Sequence, residues 1–262
     1  MPKAAPAFPQ TARAGGLPIT WRRQVLSIKG DNPGGVGYVI LRDTIAGKQP
    51  TQWRFWTLSK TLAPAADPPG AKIVGPSELK GDRFTAVGQF GVDLEYYIAS
   101  PTRGPRHTLR YGLKAAAADI GRYLEYQDML QLTLPGDGAY FVAMFPRKSK
   151  DKAPAFATSA DGKVITIKGA WGVDHTFLTD EPAEAKIAGF SFKGTSACVQ
   201  NRTSGLVLTL GDKGSVAGKA YSLTAPFAAS LRVGPAAITI DMSPDHPVGE
   251  IIITAPGKWR SP

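Results

Sequence analysis

Short apolar runs bounded by turn residues recur along this chain at intervals of about 8–12 residues, with no crossover helix between them. That rhythm constrains the fold more than any other feature. Strands with no long connection between them pair antiparallel, and many of them predict a large two-sheet β-sandwich. The opening stretch sets the pattern. Val25, Leu26 and Ile28 form one run, Tyr38 to Leu41 a second, and Trp53, Phe55, Trp56 and Leu58 a third. Asn32-Pro33-Gly34-Gly35 and Gly47-Lys48-Gln49-Pro50 lie between them, so three sequential antiparallel strands are predicted.

Further strands are predicted at 72–74, 83–90, 92–99 and 107–113. In the third of these, Asp93, Glu95 and Tyr97 alternate with Leu94, Tyr96 and Ile98, a period of two. Lys114–Asp119 can make at most one helical turn, having no apolar stripe. The segment 122–134 is predicted as a long strand, with 135–138 turning a hairpin into a return strand at 139–145. Residues 147–154, RKSKDKAP, read as a solvated loop. Eight more short strands follow between 163 and 254, with turn residues separating them. The expected organisation is a flexible Pro/Ala/Gly-rich segment over 1–18, a main all-β antiparallel two-sheet sandwich over 19–185, and a smaller C-terminal β unit over 186–262 that packs on or continues it.

The chain has 262 residues, 43% of them hydrophobic, enough to bury a large core. Its net charge of +10 favours anionic partners such as nucleic acid, acidic polysaccharide or a membrane surface, although solubility alone also accounts for it. No run is apolar enough to span a bilayer, and the first residues lack the apolar core of a signal peptide. The single cysteine, Cys198, excludes an internal disulfide framework and a multi-cysteine zinc site, and its alternating surroundings predict a buried thiol.

No complete catalytic constellation stands in the sequence. There is no G-x-S-x-G and no phosphate loop, and the glycines before Tyr38 precede a strand rather than a helix. His107, His175 and His246 form no ligand pair at metal-binding spacing, so no metal and no cofactor are expected. Asp174 and His175, as sequence neighbours on a strand, point to opposite faces and make no dyad. Weak catalytic candidates are His107 and the tyrosines Tyr96 and Tyr97, with Tyr123 and Tyr126 as further phenols. Candidate sugar-binding residues are Trp53, Arg54, Trp56 and Lys60, together with Arg106 and Arg110, with Trp21 and Trp171 as further platforms. Phe55 is expected on the face opposite Arg54 and Trp56.

Several segments carry a family resemblance. They are Arg22-Arg23 followed by Val25-Leu26 and Ile28-Lys29, the Gly37–Asp43 run, and the aromatic run ending at Trp56-Thr57-Leu58. EYQDMLQLTLPGDGAYFVAMFPR, ADGKVITIKGAWGVDHTFLTD and FSFKGTSACVQNR extend the likeness over about residues 20–225. Together these resemble the C-terminal β-sandwich region of heparinase II/III-like polysaccharide lyases. The resemblance implies acidic polysaccharide as partner, a helical toroid domain beside the sandwich, and a secreted or periplasmic location. It also implies β-elimination chemistry, in which the uronate carboxylate is neutralised, a base removes the C5 proton and an acid protonates the leaving oxygen. Asp43 falls on the family's metal-ligand aspartate. The family's histidines would fall near Trp21, Gln24 and Ser59, where this chain has none. One carboxylate without imidazoles does not hold zinc, so Asp43 is expected to bond a turn or pair with Arg42.

Three functions follow. The first is a carbohydrate-associated module that binds acidic polysaccharide. The second is the β-domain of a uronate lyase that needs a helical partner. The third is a structural or assembly sandwich without glycan activity. Nucleic-acid binding is not expected, because the basic residues are scattered.

Overall fold

The computed structural model describes residues 19–30, 35–64, 77–88, 90–114, 124–242 and 249–256. The expected lead at 1–18, the strand at 72–74, most of the Lys114–Asp119 stretch and Tyr123 lie outside these residues, as does the side chain of Tyr126.

The described residues contain strands and no helix. In chain order they are β1 (Thr20–Ile28), β2 (Tyr38–Ala46), β3 (Thr51–Pro64), β4 (Ser77–Glu78), β5 (Arg83–Gly88), β6 (Val92–Ser100), β7 (Arg106–Lys114), β8 (Leu124–Leu134), β9 (Gly138–Lys148), β10 (Ala155–Thr158), β11 (Val164–Gly169), β12 (Gly172–Ile187), β13 (Phe190–Arg202), β14 (Gly205–Leu210), β15 (Gly214–Ala217), β16 (Ser222–Ala225), β17 (Ala229–Val233), β18 (Ile238–Met242) and β19 (Ile252–Thr254). They form two large antiparallel sheets, the predicted all-β architecture. The first runs β1-β2-β9-β6-β5-β3-β8-β7-β4. The second runs β10-β11-β12-β13-β14-β17-β18, with β15, β16 and β19 branching from β13.

Each sheet folds back on itself. In β3, residues Thr51 to Leu58 pair with β8 and residues Ser59 to Pro64 pair with β5, with a register shift between Ser59 and Thr61. An irregularity of this kind bends a strand. The bend carries β3, β8 and β7 over β2, β9 and β6, and a first core forms between the two layers. Trp53, Leu130 and Leu132 meet Leu41, Tyr140, Val142 and Met144 there, with Phe84 and Tyr96 alongside. In the second sheet, β13 pairs with β15 through Ser191–Gly194 and with β14 through Ala197–Arg202. A second core of Phe177, Phe192, Val199, Leu208, Leu223 and Leu231 fills that fold.

A third core lies between the sheets. It joins Tyr38, Ile40, Phe141 and Phe145 to Ile165, Ile167, Leu178 and Cys198. The strands β9 and β6 therefore have a core on each face. Tyr140, Val142 and Met144 face the first core, while Phe141, Ala143 and Phe145 face the third. This double burial explains why 140–145 is an unbroken apolar run rather than an alternating one. Three arginines cap aromatic rings of the third core: Arg42 over Phe141 at 5.3 Å, Arg83 over Phe156 at 5.5 Å and Arg202 over Trp171 at 4.9 Å. Their stems cover apolar surface while the guanidinium groups reach polar partners.

The pairing corrects several sequence expectations. β1 and β2 pair along their whole length, but β3 does not pair with β2, whose other neighbour is β9. Likewise 135–138 is not a hairpin, since β8 lies between β3 and β7 and β9 lies between β2 and β6. Both connections pass from one layer to the other, which lets consecutive apolar strands face each other across a core instead of lying edge to edge. Asp137 ties the two connections together, its Oδ1 accepting from the amides of Gly47 (2.8 Å) and Lys48 (2.6 Å). Those residues have φ of 131° and 59°. The chain changes sheets at the 149–154 loop. The unit boundary expected at 186 falls inside the β12–β13 hairpin, the two strands being registered from Gly172 to Leu178 and, after a register shift, from Ala183 to Ile187.

Candidate functional site

Alternation along β3 sets which side chains leave the core. Thr51, Trp53 and Ser59 are buried, whereas Gln52, Arg54, Trp56, Leu58 and Lys60 project outward. Trp53 is 3% exposed and stacks on Phe55 with ring centroids 5.8 Å apart, so Phe55 lies opposite Arg54 and Trp56 as expected. On β1, Trp21 and Arg23 share one face, and β1 extends past the edge of the first core.

The open edge between these strands is a concavity of about 460 Å³ lined by Trp21, Arg23, Gln52, Trp53 and Arg54. Trp21 is 43% exposed and rests on Tyr140 at a centroid distance of 6.3 Å. Tyr140 is itself fixed by a 2.9 Å hydrogen bond with Thr51. Arg23 lies 6.0 Å from the Trp21 ring and donates from Nε and Nη2 to the two oxygens of Asp43, each at 2.7 Å. Asp43 is fully buried, so the paired guanidinium is held in one orientation. The hydrogen bond to Asp43 raises the Arg23 pKa above its ordinary value, against the opposing effect of burial. Across the gap, Arg54 donates Nε to Gln131 Oε1 at 3.0 Å and Nη2 to Gln52 Oε1. Asp43 thus pairs with Arg23 across the strand and not with its neighbour Arg42, which points to the opposite face and lies 3.9 Å from Asp180.

The predicted residues divide among several places. Trp53 and Arg54 line the concavity, and Trp56 and Lys60 continue the Arg54 face along β3. His107 lies on that same outward face: in register, Arg54 pairs with Gln131, Gln131 with His107, and His107 with Glu78 of β4. Arg106 does not join them. It is 8% exposed and donates Nη2 to the Pro101 carbonyl at 2.8 Å and Nη1 to the Gly104 carbonyl at 3.3 Å, holding the turn before β7. Arg110 pairs through its backbone with the buried Asp128, and its side chain lies outside the described residues.

The catalytic candidates do not converge. Tyr96 is fully buried in the first core, and burial drives its pKa well up. Tyr97 faces the opposite core and shares a 2.8 Å hydrogen bond with Thr158 of β10; burial raises its pKa too. His107 lies outside both cores. An acid–base pair must reach the same reacting atoms, and these three groups point in three directions. Asp174 and His175 also separate, Asp174 bonding Tyr38 and Arg202 and His175 bonding Thr166. Among the described residues, no three His, Cys, Asp or Glu groups come together as a metal site.

Arg23, Gln52 and Gln131 were not among the sequence candidates. A signal existed in the i, i+2 spacing of Trp21 with Arg23 and of Gln52 with Arg54. The convergence of β1 on β3 is tertiary and had no sequence mark. In comparisons with family models, curated proteins and solved structures, nothing matches this chain.

Proposed function

We propose that this protein is a carbohydrate-associated β-sandwich module that binds acidic polysaccharide at the concavity between β1 and β3. The observation that carries the reading is Trp21, an exposed ring, set between two arginines held in place by Asp43, Gln52 and Gln131. A flat indole face packs against the C–H face of a sugar ring. A guanidinium supplies paired donors that suit a carboxylate or sulfate. Because Asp43 offsets the charge of Arg23, that arginine acts mainly as an oriented donor, and Arg54, held by Gln52 and Gln131, presents a second guanidinium. The sequence resemblance to the C-terminal region of heparinase II/III-like lyases points to the same ligand class and to a secreted or periplasmic location.

Calorimetric titration with heparin, hyaluronan and alginate tests this. Binding is expected to weaken sharply as salt rises, because exposed charges are screened within about 8 Å at physiological ionic strength. Trp21→Ala and Arg54→Ala should each weaken it about tenfold or more. Wild-type protein that binds none of these polymers at low salt overturns the proposal.

A further inference from the structure

The concavity does not end at Arg54. The outward face of the first sheet continues across β3, β8, β7 and β4 as one cross-strand row, Arg54–Gln131–His107–Glu78. Directly paired residues in antiparallel strands project from the same face. Three inter-strand steps make the row about 14 Å long, more than one sugar ring needs. A parallel row beside it, Trp56–Met129–Leu109, is apolar; Trp56 is 39% exposed, whereas Met129 is buried at 4%.

The polar row changes character along its length. It starts at a cation, passes through a neutral amide and an imidazole, and ends at the exposed carboxylate of Glu78. The Oε1 of Gln131 already accepts from Arg54, and His107 is half-buried, its Nδ1 turned inward without a hydrogen-bond partner, so only the outer edge of the imidazole can meet a ligand. Such a row suits hydroxyl and amide groups next to the anion site. It does not suit a second anion, which would meet Glu78.

Resting on the glycan reading above, we infer that Gln131, His107 and Glu78 form a neutral-sugar subsite contiguous with the arginine concavity. The ligand is then a polysaccharide in which acidic and neutral sugars alternate, rather than a uniform polyuronate. Selectivity comes from the mismatch at Glu78, since a like charge placed there opposes binding.

The test compares size-matched oligosaccharides of hyaluronan, which alternate, with those of polymannuronate, which carry an acid on every sugar. Affinities are measured at physiological salt on the full chain. Hyaluronan oligosaccharides should bind more tightly despite their lower charge. His107→Ala, which leaves Arg54 and its glutamine partners in place, should weaken hyaluronan binding about tenfold, the loss of about one hydrogen bond, with polymannuronate unchanged. Glu78→Gln, at an exposed position that tolerates replacement, should strengthen polymannuronate binding and narrow the gap. Equal or tighter wild-type binding of polymannuronate, with no response to Glu78→Gln, overturns the subsite while leaving the glycan reading intact. Absence of binding to either ligand, at low salt as well as at physiological salt, overturns both.

Discussion

The phenol of Tyr38 on β2 donates a 2.6 Å hydrogen bond to Asp174 on β12, joining the two sheets through a fully buried carboxylate. Arg202 completes the group, donating Nε to Asp174 at 3.1 Å, with a second bond from Nη2. A buried charge needs such company, because without partners it loses the solvation that water gave it. Tyr38→Phe keeps the ring and removes one donor. It should cost about 1.5–3 kcal/mol, the range for a hydrogen bond to a charged group, measured as a shift in the urea midpoint at unchanged slope.

Arg147 performs a comparable task at the crossover between the sheets. It donates to Glu95 at 2.6 and 2.8 Å, approaches Asp93 at 3.2 Å, and holds the carbonyls of Lys148, Ser149 and Asp151. Glu95 and Asp93 are 1% and 5% exposed. Arg147→Met leaves two buried carboxylates facing each other and should destabilise the fold by about 3–5 kcal/mol. Adding Glu95→Gln to that variant should recover part of the loss in the same denaturation experiment.

His175 gives the fold a pH dependence of defined sign. Burial lowers its pKa below the ordinary 6.5, with the Asp174 charge acting in the opposite direction. The folded state therefore binds fewer protons than the unfolded chain once the pH falls below 6.5. Stability is full above that value, declines as the pH falls through it, and levels off below the folded pKa. His175→Phe should flatten the slope of the melting temperature against pH in this window. An unchanged slope would assign the effect to other groups.

Cys198 should be chemically silent in the native protein. Burial, and then the Asp174 charge, push its thiol up to about 12. Thiolate is the reactive form, so a disulfide reagent at neutral pH should label no cysteine in folded protein and one per chain in denaturant. Rapid labelling without denaturant would mean that the core between the sheets opens.

The isolated chain should release no unsaturated uronate from any acidic polysaccharide. Tyr96, Tyr97 and His107 occupy three separate environments, and elimination needs its base, acid and neutralising group around one sugar. The check is absorbance of the unsaturated product during prolonged incubation. A sustained rise that Tyr97→Phe or His107→Ala abolishes would contradict it.

The strands themselves were legible because strand period and turn residues are local. The alternation put Phe55 opposite Arg54 and Trp56 correctly, and TSACVQ gave a buried thiol, but Trp53, expected beside Arg54 as a sugar platform, lies on the buried face with Phe55 and is 3% exposed. Pairing partners were not legible. Antiparallel neighbours in sequence are the usual expectation, yet Leu134 and Ala139 begin different layers, because each core needs apolar strands on both sides. The Asp43 partnership was hidden for the same reason. Arg42 is adjacent in sequence but on the other face, while Arg23 is a strand away and in register. The cluster RKSKDKAP read as solvated, although its first member, Arg147, is an anchor whose buried acids lie more than fifty positions earlier.

The double-faced burial of β9 and β6 has a consequence for how the chain can be divided. Residues before and after the 149–154 loop belong to different sheets, which suggests two separable modules. Phe141, Phe145 and Tyr97 argue otherwise, since removing the second sheet would expose them to water along with Ile40. A backbone nick in the loop should leave the two pieces associated as a non-covalent heterodimer. Either piece expressed alone should aggregate. The two sheets should therefore melt in one shared transition, and any circular permutation that succeeds should need both.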